Sequence, residues 1–501
     1  MARTIPAALA SAASRFGDAE ALAEPGGERL SWNELHNQAG TVARALIADG
    51  VEPGDRVAIW MPNDRYWVLA ALGALTAGAT LVPVSTRFTG HEALDIITRS
   101  GTKTLFVAED FLGTDRLAAL RAAATETGTE LAARAIQVPK DWAGFIAGAA
   151  QVPDDAANTV RPDDISDIMF TSGTTGRSKG AMTSHERSLG VARAWADLGG
   201  LSPADRYLVV NPFFHTFGYK AGILACVLTG ATIVPQPVFD PPETMRLIDA
   251  EHITVLPGAP TIYQMILDHP EREHYKLDSL RLAVTGAATI PVALIERMRD
   301  ELAFRTVLTA YGLTEAVVAT MCRPGDDPHT IATTSGRAAA DFEIQIGEAH
   351  EILLRGPNMM LGYLDDPKAT AEAIDAEGWL HTGDVGRLDG AGNLIITDRL
   401  KDMYVCGGFN VYPAEVEQAL ARLDGVADVA VIGVPDARLG EVGRAYIVPR
   451  PGHTLDEIAI THWCRERLAN YKVPRSIVVI DALPRNASGK VLKRELRTHG
   501  G

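Results

Sequence analysis

The chain has few cysteines for its 501 residues, and the four it contains (Cys226, Cys322, Cys406 and Cys464) lie far apart. No Cys-x-x-Cys pair occurs, so the sequence indicates neither a disulfide framework nor a structural zinc site. Because unpaired cysteines are typical of a reducing compartment, we expect a cytoplasmic protein.

The sequence also lacks an excess of positive charge and a continuous membrane-spanning run. Its net charge is −16, which argues against general nucleic-acid binding but leaves room for a local basic site. The longest uncharged run begins at Tyr66 and passes Val84, and Gly78 divides it into a helical half and a strand-like half. We therefore expect a buried helix and strand, with no stable membrane insertion.

Length and patterning predict an α/β protein with more than one domain, since one core cannot serve 501 residues. Helical and strand-like patterns alternate up to about Ser335, which is typical of mostly parallel sheets covered by helices. Short strands with Gly/Pro turns follow. We predict a large N-terminal domain, residues 1–400, of two doubly wound α/β subdomains plus a small β-barrel subdomain. A small mobile α+β domain, residues 401–501, completes the chain.

Four local patterns make this prediction more specific. Ser31-Trp-Asn-Glu34 is a capping box that begins a helix running to about Ala48. The Ala-rich residues 118–150 are predicted to be helical or loose. Gly222–Leu228 has the pattern of a helix, and Thr254–Leu256 that of a strand.

A glycine-rich stretch, Thr171-Ser-Gly-Thr-Thr-Gly-Arg-Ser-Lys-Gly180, follows an apolar run that is predicted to be a buried strand. Its glycines allow the backbone to approach a ligand closely, and its hydroxyls, N–H groups and two cations suit a polyanion. No Gly-Lys-Ser/Thr closes it, so it is not a Walker A loop. The stretch predicts a phosphate-binding loop.

Two further stretches lie where parallel strands are predicted to end. Asn211-Pro-Phe-Phe-His-Thr216 brings an aromatic pair and His215 to such an end, where α/β sheets place ligands. Tyr311-Gly-Leu-Thr-Glu315 offers a ring that could stack on a base and a carboxylate able to hold magnesium beside phosphates.

Two more stretches carry a charged side chain next to a glycine. His381-Thr-Gly-Asp384 presents a carboxylate that could accept the hydroxyls of a ribose. Pro484-Arg-Asn-Ala-Ser-Gly-Lys490 places a lysine after a flexible residue, so that its ammonium could act as a movable cation. Each stretch alone is a weak signal, because ordinary turns and solvent-exposed lysines have the same sequence pattern.

The ordered set of five stretches, on this α/β pattern, closely resembles the adenylate-forming (ANL) superfamily of acyl-CoA synthetases, luciferases and peptide-synthetase adenylation domains. The resemblance covers almost the whole chain. It implies the substrates ATP and coenzyme A, the cofactor Mg²⁺, and a carboxylic acid as the small-molecule partner. It leaves a homodimer open.

The resemblance implies roles for individual residues. Lys490 would stabilise the adenylation transition state, with Thr314 and Glu315 at the α-phosphate and Glu315 at the metal. The implied ATP and CoA set is Thr171, Ser172, Gly173, Thr174, Thr175, Gly176 and Lys179 at the phosphates, Gly286, Ala287, Ala288, Tyr311 and Gly312 near the adenine, Asp384 and Arg399 at the ribose, Lys401 at the hinge, and Gly407, Gly408, Phe409 and Arg475 on the CoA side. The implied acyl pocket contains Phe214, Tyr219, Gly222, Thr285, Leu313 and Val317, together with His215, which is also among the implied catalytic residues.

The implied reaction is a carboxylate–CoA ligation in two steps. The acid and ATP give an acyl-adenylate and pyrophosphate, and CoA then gives the thioester and AMP. The stretches around His215, Thr285 and Tyr404 are similar to an actinobacterial group of ligases that activate the propanoate side chain of the methylhexahydroindanedione left from the sterol C and D rings. An aryl or medium-chain fatty acid, or transfer to a carrier protein instead of CoA, remains an alternative.

Two other classes of protein share single features with this sequence. Gly176-Arg-Ser-Lys-Gly180 matches the Gly-x-Ser-x-Gly elbow of α/β-hydrolases, but about six small polar residues separate Ser178 from the strand and no oxyanion signature is evident. A non-enzymatic nucleotide-binding protein would be expected to lack Lys490, Glu315 or Asp384, and all three are present.

Overall fold

The computed structural model describes residues 2–153, 159–171, 178–286, 290–400, 402–406, 409–411, 413–436, 438–468, 470–486 and 490–498, without the side chains of 398, 399, 409, 410, 466 and 467. The strands are β1 (Glu20–Ala23), β2 (Arg29–Ser31), β3 (Arg56–Trp60), β4 (Thr80–Pro83), β5 (Thr102–Ala108), β6 (Arg134–Val138), β7 (Ile165–Thr171), β8 (Lys179–Ser184), β9 (Arg206–Val209), β10 (Thr232–Pro235), β11 (Leu282–Gly286), β12 (Thr306–Tyr311), β13 (Thr320–Met321), β14 (Arg337–Ala338), β15 (Glu343–Ile346), β16 (Glu351–Arg355), β17 (Gly362–Tyr363), β18 (Leu380–Leu388), β19 (Leu394–Arg399), β20 (Tyr404–Cys406), β21 (Phe409–Val411), β22 (Val426–Asp436), β23 (Gly440–Pro449) and β24 (Ser476–Val479).

The helices are α1 (Ile5–Phe16), α2 (Trp32–Ala48), α3 (Arg65–Thr76), α4 (Gly90–Ser100), α5 (Arg116–Thr127), α6 (Trp142–Ala147), α7 (His185–Gly199), α8 (Thr216–Gly218), α9 (Ala225–Thr229), α10 (Pro241–Glu251), α11 (Pro260–Leu267), α12 (Val292–Glu301), α13 (Pro328–Thr333), α14 (Pro367–Ala373), α15 (Pro413–Leu420), α16 (Glu457–Arg467) and α17 (Lys493–Thr498). A π-helical turn, Tyr219–Leu224, joins α8 to α9, and short 3₁₀ turns occur at Gly148–Gln151, Arg272–His274, Glu348–His350 and Asn470–Lys472.

The first α/β subdomain is built on a seven-stranded sheet of order β17-β8-β7-β4-β3-β5-β6. From β3 the chain goes to β4 on one side and then to β5 and β6 on the other, all in parallel, as in doubly wound folds. Val57 and Ile59 of β3 face one core, and Ala58 and Trp60 face another. Because helices cover both faces, this strand has no polar face.

The second subdomain contains two four-stranded sheets, β2-β1-β10-β9 and β11-β12-β13-β14. Val255 joins them, because it bridges Tyr207 of β9 and Leu282 of β11 in parallel. The strand predicted at Thr254–Leu256 is therefore a bridge of one residue. Strands β1, β10, β9, β11 and β12 run parallel, and the second doubly wound subdomain is confirmed.

One hydrophobic core unites the two subdomains, since it contains Ile59 of the first sheet, Trp67 of α3 and Val209 of the second sheet. This shared core fixes the seven-stranded sheet relative to the sheet β2-β1-β10-β9. The run from Tyr66 to Val84 forms the buried helix and strand that we predicted. Among the described residues, no helix has both the length and the apolar character needed to cross a bilayer.

The small subdomain after residue 335 differs from the prediction of a barrel. Strands β15, β16, β18 and β19 pair antiparallel in that order, and the two outer strands do not pair with each other. Four strands are too few to close around a packed interior. The subdomain is an open sheet, with Leu354, Leu380 and Leu394 in the core beneath it.

The small C-terminal domain has an α+β structure with cores of its own. Strands β21, β20, β23 and β22 form its sheet, and β24 pairs with β23. Val431 of β22 faces one core, and Ala430 and Ile432 face the other. Every residue of these two cores lies between 404 and 496.

Local predictions had mixed outcomes. The capping box is confirmed, since the Ser31 hydroxyl accepts from the Glu34 amide at 3.2 Å and the Glu34 carboxylate accepts from the Ser31 amide at 2.8 Å. The Ala-rich residues 118–150 contain helices but also strand β6, which the prediction missed. Strand β6 forms on the edge of β5, so a distant partner determines it.

Candidate active site

Three strands of the two α/β subdomains end on residues that were predicted from the sequence to belong to the site. Strand β7 ends at Thr171, β11 at Gly286 and β12 at Tyr311. In α/β folds this carboxyl edge is where ligands bind. Gly286 is opposite Ala310, and a Cβ atom on Gly286 would lie 2.3 Å from the Ala310 carbonyl oxygen, so only glycine fits there.

The predicted base and ribose residues meet. The Tyr311 hydroxyl donates to Asp384 Oδ2 at 2.6 Å, and Asp384 is buried. Asp384 and Arg399 are direct partners in the antiparallel pair of β18 and β19. The structure thus brings Tyr311, Asp384 and the backbone of Arg399 to one corner, where the open sheet contacts the end of β12.

The loop after β12 is unusually tight. A Cβ atom on Gly312 would lie 1.7 Å from the Val317 carbonyl oxygen, so this position requires glycine. Val317 has a positive φ of 52°, and its amide donates to the Leu313 carbonyl at 2.6 Å. This tight turn presents Thr314 and Glu315, which are both partly exposed, at the end of the strand.

Glu315 is held by a residue that the sequence analysis missed. The Tyr363 hydroxyl donates to Glu315 Oε1 at 2.8 Å, and Lys179 Nζ lies 4.9 Å from the centre of the Tyr363 ring. Burial and the adjacent carboxylate raise the pKa of Tyr363, so the hydroxyl stays protonated. Two sequence-predicted residues, one from the phosphate loop and one from the loop after β12, therefore share a single aromatic neighbour.

His215 begins the helical segment that lines the predicted acyl pocket. Its Nδ1 accepts from the Phe217 amide at 3.2 Å, so the ring caps this segment. Burial lowers the pKa of His215 to about 4, and the ring is therefore neutral at physiological pH. The helix predicted at Gly222–Leu228 begins earlier, at Thr216, and contains the π turn Tyr219–Leu224. Such turns are frequent at functional sites.

A buried ion pair connects this π turn to the strand that leads into the phosphate loop. Lys220 Nζ lies 2.8 Å from Asp167 Oδ1, and neither side chain is exposed to solvent. Ser166 and Ser188 donate to Asp167 Oδ2 at 2.7 and 2.9 Å. This pair was not predicted from the sequence, although a charge inside the apolar run at 165–170 and another beside Tyr219 are a usable signal.

Two hydroxyls of the predicted acyl pocket lack a partner. Tyr219 Oη and Thr285 Oγ1 are buried and have no hydrogen-bond partner among the described residues. Burial and the nearby Asp167 raise the pKa of Tyr219, which keeps it a neutral donor. Phe214 is partly buried, and Leu313 and Val317 pack on the core beneath the open sheet. A Cβ atom on Gly222 would lie 3.1 Å from Val209 Cγ1.

Two predicted residues of the C-terminal domain, Arg475 and Lys490, have side chains that the structure describes. The Lys490 amide donates to Asn486 Oδ1 at 2.8 Å, and the Lys490 carbonyl accepts from the Asn486 amide at 2.8 Å. Arg475 is exposed and donates to the Asn470 carbonyl at 3.3 Å.

Several predicted residues lie outside the described part of the chain. These are Ser172, Gly173, Thr174, Thr175, Gly176, Ala287, Ala288, Lys401, Gly407 and Gly408, together with the side chains of Arg399 and Phe409. Their predicted roles remain predictions.

The described residues suit a nucleotide with a divalent cation. Glu315 Oε1 accepts from the Tyr363 hydroxyl, whereas Oε2 has no hydrogen-bond partner among the described residues and is a candidate metal ligand. Mg²⁺ at phosphates commonly takes one or two protein carboxylates, with the remaining positions filled by phosphate and water oxygens. Because Glu315 and Lys179 both contact Tyr363, the site offers a candidate carboxylate for the metal and a candidate cation for the phosphates.

Comparisons with known proteins agree with this geometry. The family of AMP-binding enzymes matches residues 9–364, and the C-terminal domain of AMP-binding enzymes matches residues 415–490. A protein of Rhodococcus jostii named 3-[(3aS,4S,7aS)-7a-methyl-1,5-dioxo-octahydro-1H-inden-4-yl]propanoyl:CoA ligase is 57% identical over 99% of this chain and 98% of that protein. A ligase of the same name from Mycobacterium tuberculosis is also 57% identical, over 99% of each chain.

A solved structure shows the same fold. ATP-bound MatB from Rhodopseudomonas palustris superimposes with a TM-score of 0.89 at 30% identity, over 100% of this chain and 99% of that chain.

Proposed function

Because the chain belongs to the family of AMP-binding enzymes and is an ATP-dependent, AMP-forming acyl-CoA ligase, we propose that its acid is a sterol-derived propanoate. This acid carries the propanoate on a methyl-dioxo-octahydroindene, the remnant of the sterol C and D rings. The observation that carries the proposal is the 57% identity over nearly the full chain to two ligases named for that acyl group.

The reaction proceeds in two steps. A carboxylate oxygen of the acid attacks the α-phosphorus of ATP, and pyrophosphate leaves with the electrons of the broken P–O bond. The CoA thiolate then attacks the acyl carbon, and AMP leaves. The first step gathers negative charge on phosphate, so it needs positioned cations and donors instead of a nucleophilic side chain.

In this proposal the site divides into four parts, which bind the phosphates, the adenine, the ribose and the metal. Residues 171–176 and Lys179 bind the phosphates, and Tyr311 with residues 286–288 and Gly312 lies at the adenine. Asp384 and Arg399 bind the ribose. Glu315 with Thr314 would hold Mg²⁺, which when bound neutralises phosphate charge.

The acyl pocket is proposed to combine apolar walls with neutral donors. His215 is neutral, so it contributes shape and not charge beside Phe214, Leu313 and Val317. The unpartnered hydroxyls of Tyr219 and Thr285 would favour an acid that carries acceptors, such as the two ketones of the indanedione.

We propose that the C-terminal domain, residues 401–501, moves between the two steps. Lys490 would serve adenylation, and rotation about Lys401 would bring Gly407, Gly408, Phe409 and Arg475 to the CoA. The separate cores of this domain support a rigid-body movement, because rotation need not disturb their packing. The four cysteines are buried and form no disulfide among the described residues, which favours a reducing cytoplasm. The homodimer remains a prediction, which analytical ultracentrifugation would test.

A substrate panel tests the proposed acid. The purified protein would receive ATP, Mg²⁺ and CoA with the indanedione propanoate, a hydroxycinnamate or octanoate, and AMP and acyl-CoA would be quantified together. We expect kcat/KM for the indanedione propanoate to exceed the others by roughly 100-fold or more, because unpaired pocket hydroxyls reject acids without acceptors. Preference for an aryl or fatty acid would refute the acid but leave the ligase intact.

Lys490→Ala tests the assigned catalytic role. We expect acyl-adenylate formation to fall by about 100- to 1,000-fold, the usual effect of removing one preorganised charge donor. Thioester formation from supplied acyl-AMP should fall much less. Arg494→Ala removes an exposed cation four residues away and serves as the control. Equal losses in both half-reactions would contradict the role.

A further inference from the structure

Tyr363 lies between two parts of the site that come from different strands. We infer that Tyr363 is a positioning residue that sets the Glu315 carboxylate toward the metal and keeps the Lys179 ammonium beside the phosphates. The inference rests on the proposed roles of Glu315 and Lys179 and adds a residue that holds both.

The contacts of Tyr363 are of two different kinds. Its hydroxyl donates to Glu315 Oε1 at 2.8 Å, and its ring lies 4.9 Å from Lys179 Nζ. A hydrogen bond to a carboxylate fixes the rotation of the carboxylate, so Oε2 has one orientation in which to meet a cation. A cation–π contact attracts the lysine without neutralising it, so the ammonium keeps its charge for phosphate.

The segment that carries Tyr363 is anchored on both sides. On one side β17 pairs with β8, and the Leu364 amide donates to the Gly180 carbonyl at 2.8 Å. On the other side the Met360 amide donates to the Glu315 carbonyl at 2.7 Å. Tyr363 is therefore connected through its own backbone to the strand of Lys179 and to the loop of Glu315.

A third contact fixes the backbone of Tyr363 itself. The Tyr363 amide donates to Thr370 Oγ1 at 2.9 Å, and Gly362 has a φ of 146° that other residues rarely adopt. Tyr363 as a whole residue is 9% exposed, so water competes little for its hydroxyl. These restraints let one ring hold two charged groups at a fixed separation, which is what phosphoryl-group chemistry by positioning requires.

Two substitutions separate the two contacts. Tyr363→Phe removes the hydroxyl and keeps the ring, and Tyr363→Leu removes both. Tyr263→Phe is the matched control, because the Tyr263 hydroxyl is also buried but donates to the Leu256 backbone carbonyl at 2.8 Å. Thermal unfolding of all variants would show that each is folded.

The readout is binding, without turnover. ATP would be titrated calorimetrically into the protein in the absence of acid, once with Mg²⁺ and once with EDTA. The dissociation constant in EDTA divided by that in Mg²⁺ reports how strongly the metal supports ATP binding. For Tyr363→Phe we expect this ratio to fall by about 10-fold, the effect of losing one hydrogen bond to a charged group, with the EDTA value unchanged. Tyr363→Leu should also weaken binding in EDTA.

The outcomes distinguish this inference from the proposed function. A Tyr363→Phe protein with the wild-type ratio would overturn the inference if Glu315→Gln lowers the ratio. If Glu315→Gln also keeps the wild-type ratio, the proposed metal role of Glu315 fails, and the inference fails with it. A lowered ratio in Tyr263→Phe would refute the specific role of Tyr363.

Discussion

Lys220→Met removes one charge from a fully buried ion pair and nearly preserves the length of the side chain. In the wild type, Lys220 Nζ lies 2.8 Å from Asp167 Oδ1, and both side chains are fully buried. The variant leaves the Asp167 carboxylate buried without its cation. Its Oδ2 still accepts from Ser166 and Ser188.

The expected loss follows from these contacts. Breaking a buried pair by removing one partner typically costs about 3–5 kcal/mol. The two serine donors still solvate one oxygen, so we expect a loss near the lower end, about 3 kcal/mol. In Lys220→Met/Asp167→Asn no buried charge remains, and we expect the double variant to regain about 1–2 kcal/mol over Lys220→Met.

Urea unfolding followed by tryptophan fluorescence measures these differences. Six of the seven tryptophans, all but Trp463, precede residue 400, so fluorescence mainly reports the large domain. Trp67 packs on Tyr219 with ring centres 5.9 Å apart, directly beside Lys220. The argument that the pair is coupled would be refuted if Lys220→Met lowered the free energy of unfolding by less than about 1 kcal/mol. It would also be refuted if the effects of Lys220→Met and Asp167→Asn simply added in the double variant.

Two other predictions concern the hinge and acid stability. Lys401→Pro should spare adenylation and slow thioester formation from supplied acyl-AMP, because proline restricts the backbone about which the C-terminal domain would rotate; if both half-reactions stay intact, Lys401 is not the pivot. Burial lowers the pKa of His185 from 6.5 to about 4. Between these pH values the unfolded chain binds a proton at His185 that the folded chain does not bind, so the free energy of unfolding should fall by about 2–3 kcal/mol as the pH drops from 6.5 to 4. His185→Gln, which can still accept from the Ile5 amide, should lose that part of the pH dependence in urea titrations at several pH values, and an unchanged slope would contradict it.

The sequence predicted the features that local chemistry determines. The capping box at Ser31 and the strand-and-helix alternation were found because each depends on residues a few positions apart. Strand β6 and the one-residue bridge at Val255 were not found, because partners far along the chain decide them.

The site shows the same division. Motif residues such as Tyr311 and Asp384 were predicted separately, but their 2.6 Å hydrogen bond required the structure. Tyr363 was missed because Gly362-Tyr363 looks like an ordinary turn, and only its pairing with β8 brings it to Glu315. The π turn was missed because its sequence has the periodicity of a common helix.

The positions of the two missed pairs suggest how the site stays ordered without a nucleophile. Strands β7 and β8 flank residues 172–177 in sequence and pair with each other, Thr171 opposite Lys179. Asp167 connects β7 to the π turn of the acyl pocket, and Tyr363 connects β8 to the loop of Glu315. In the proposed site, the two strands are therefore connected to different parts: β7 to the acyl pocket, and β8 to the residues proposed for the metal and ATP. If so, Lys220→Met should raise the KM for the acid more than that for ATP, and Tyr363→Phe should affect mainly the metal dependence. Equal changes in both variants would mean that the strands respond as one unit.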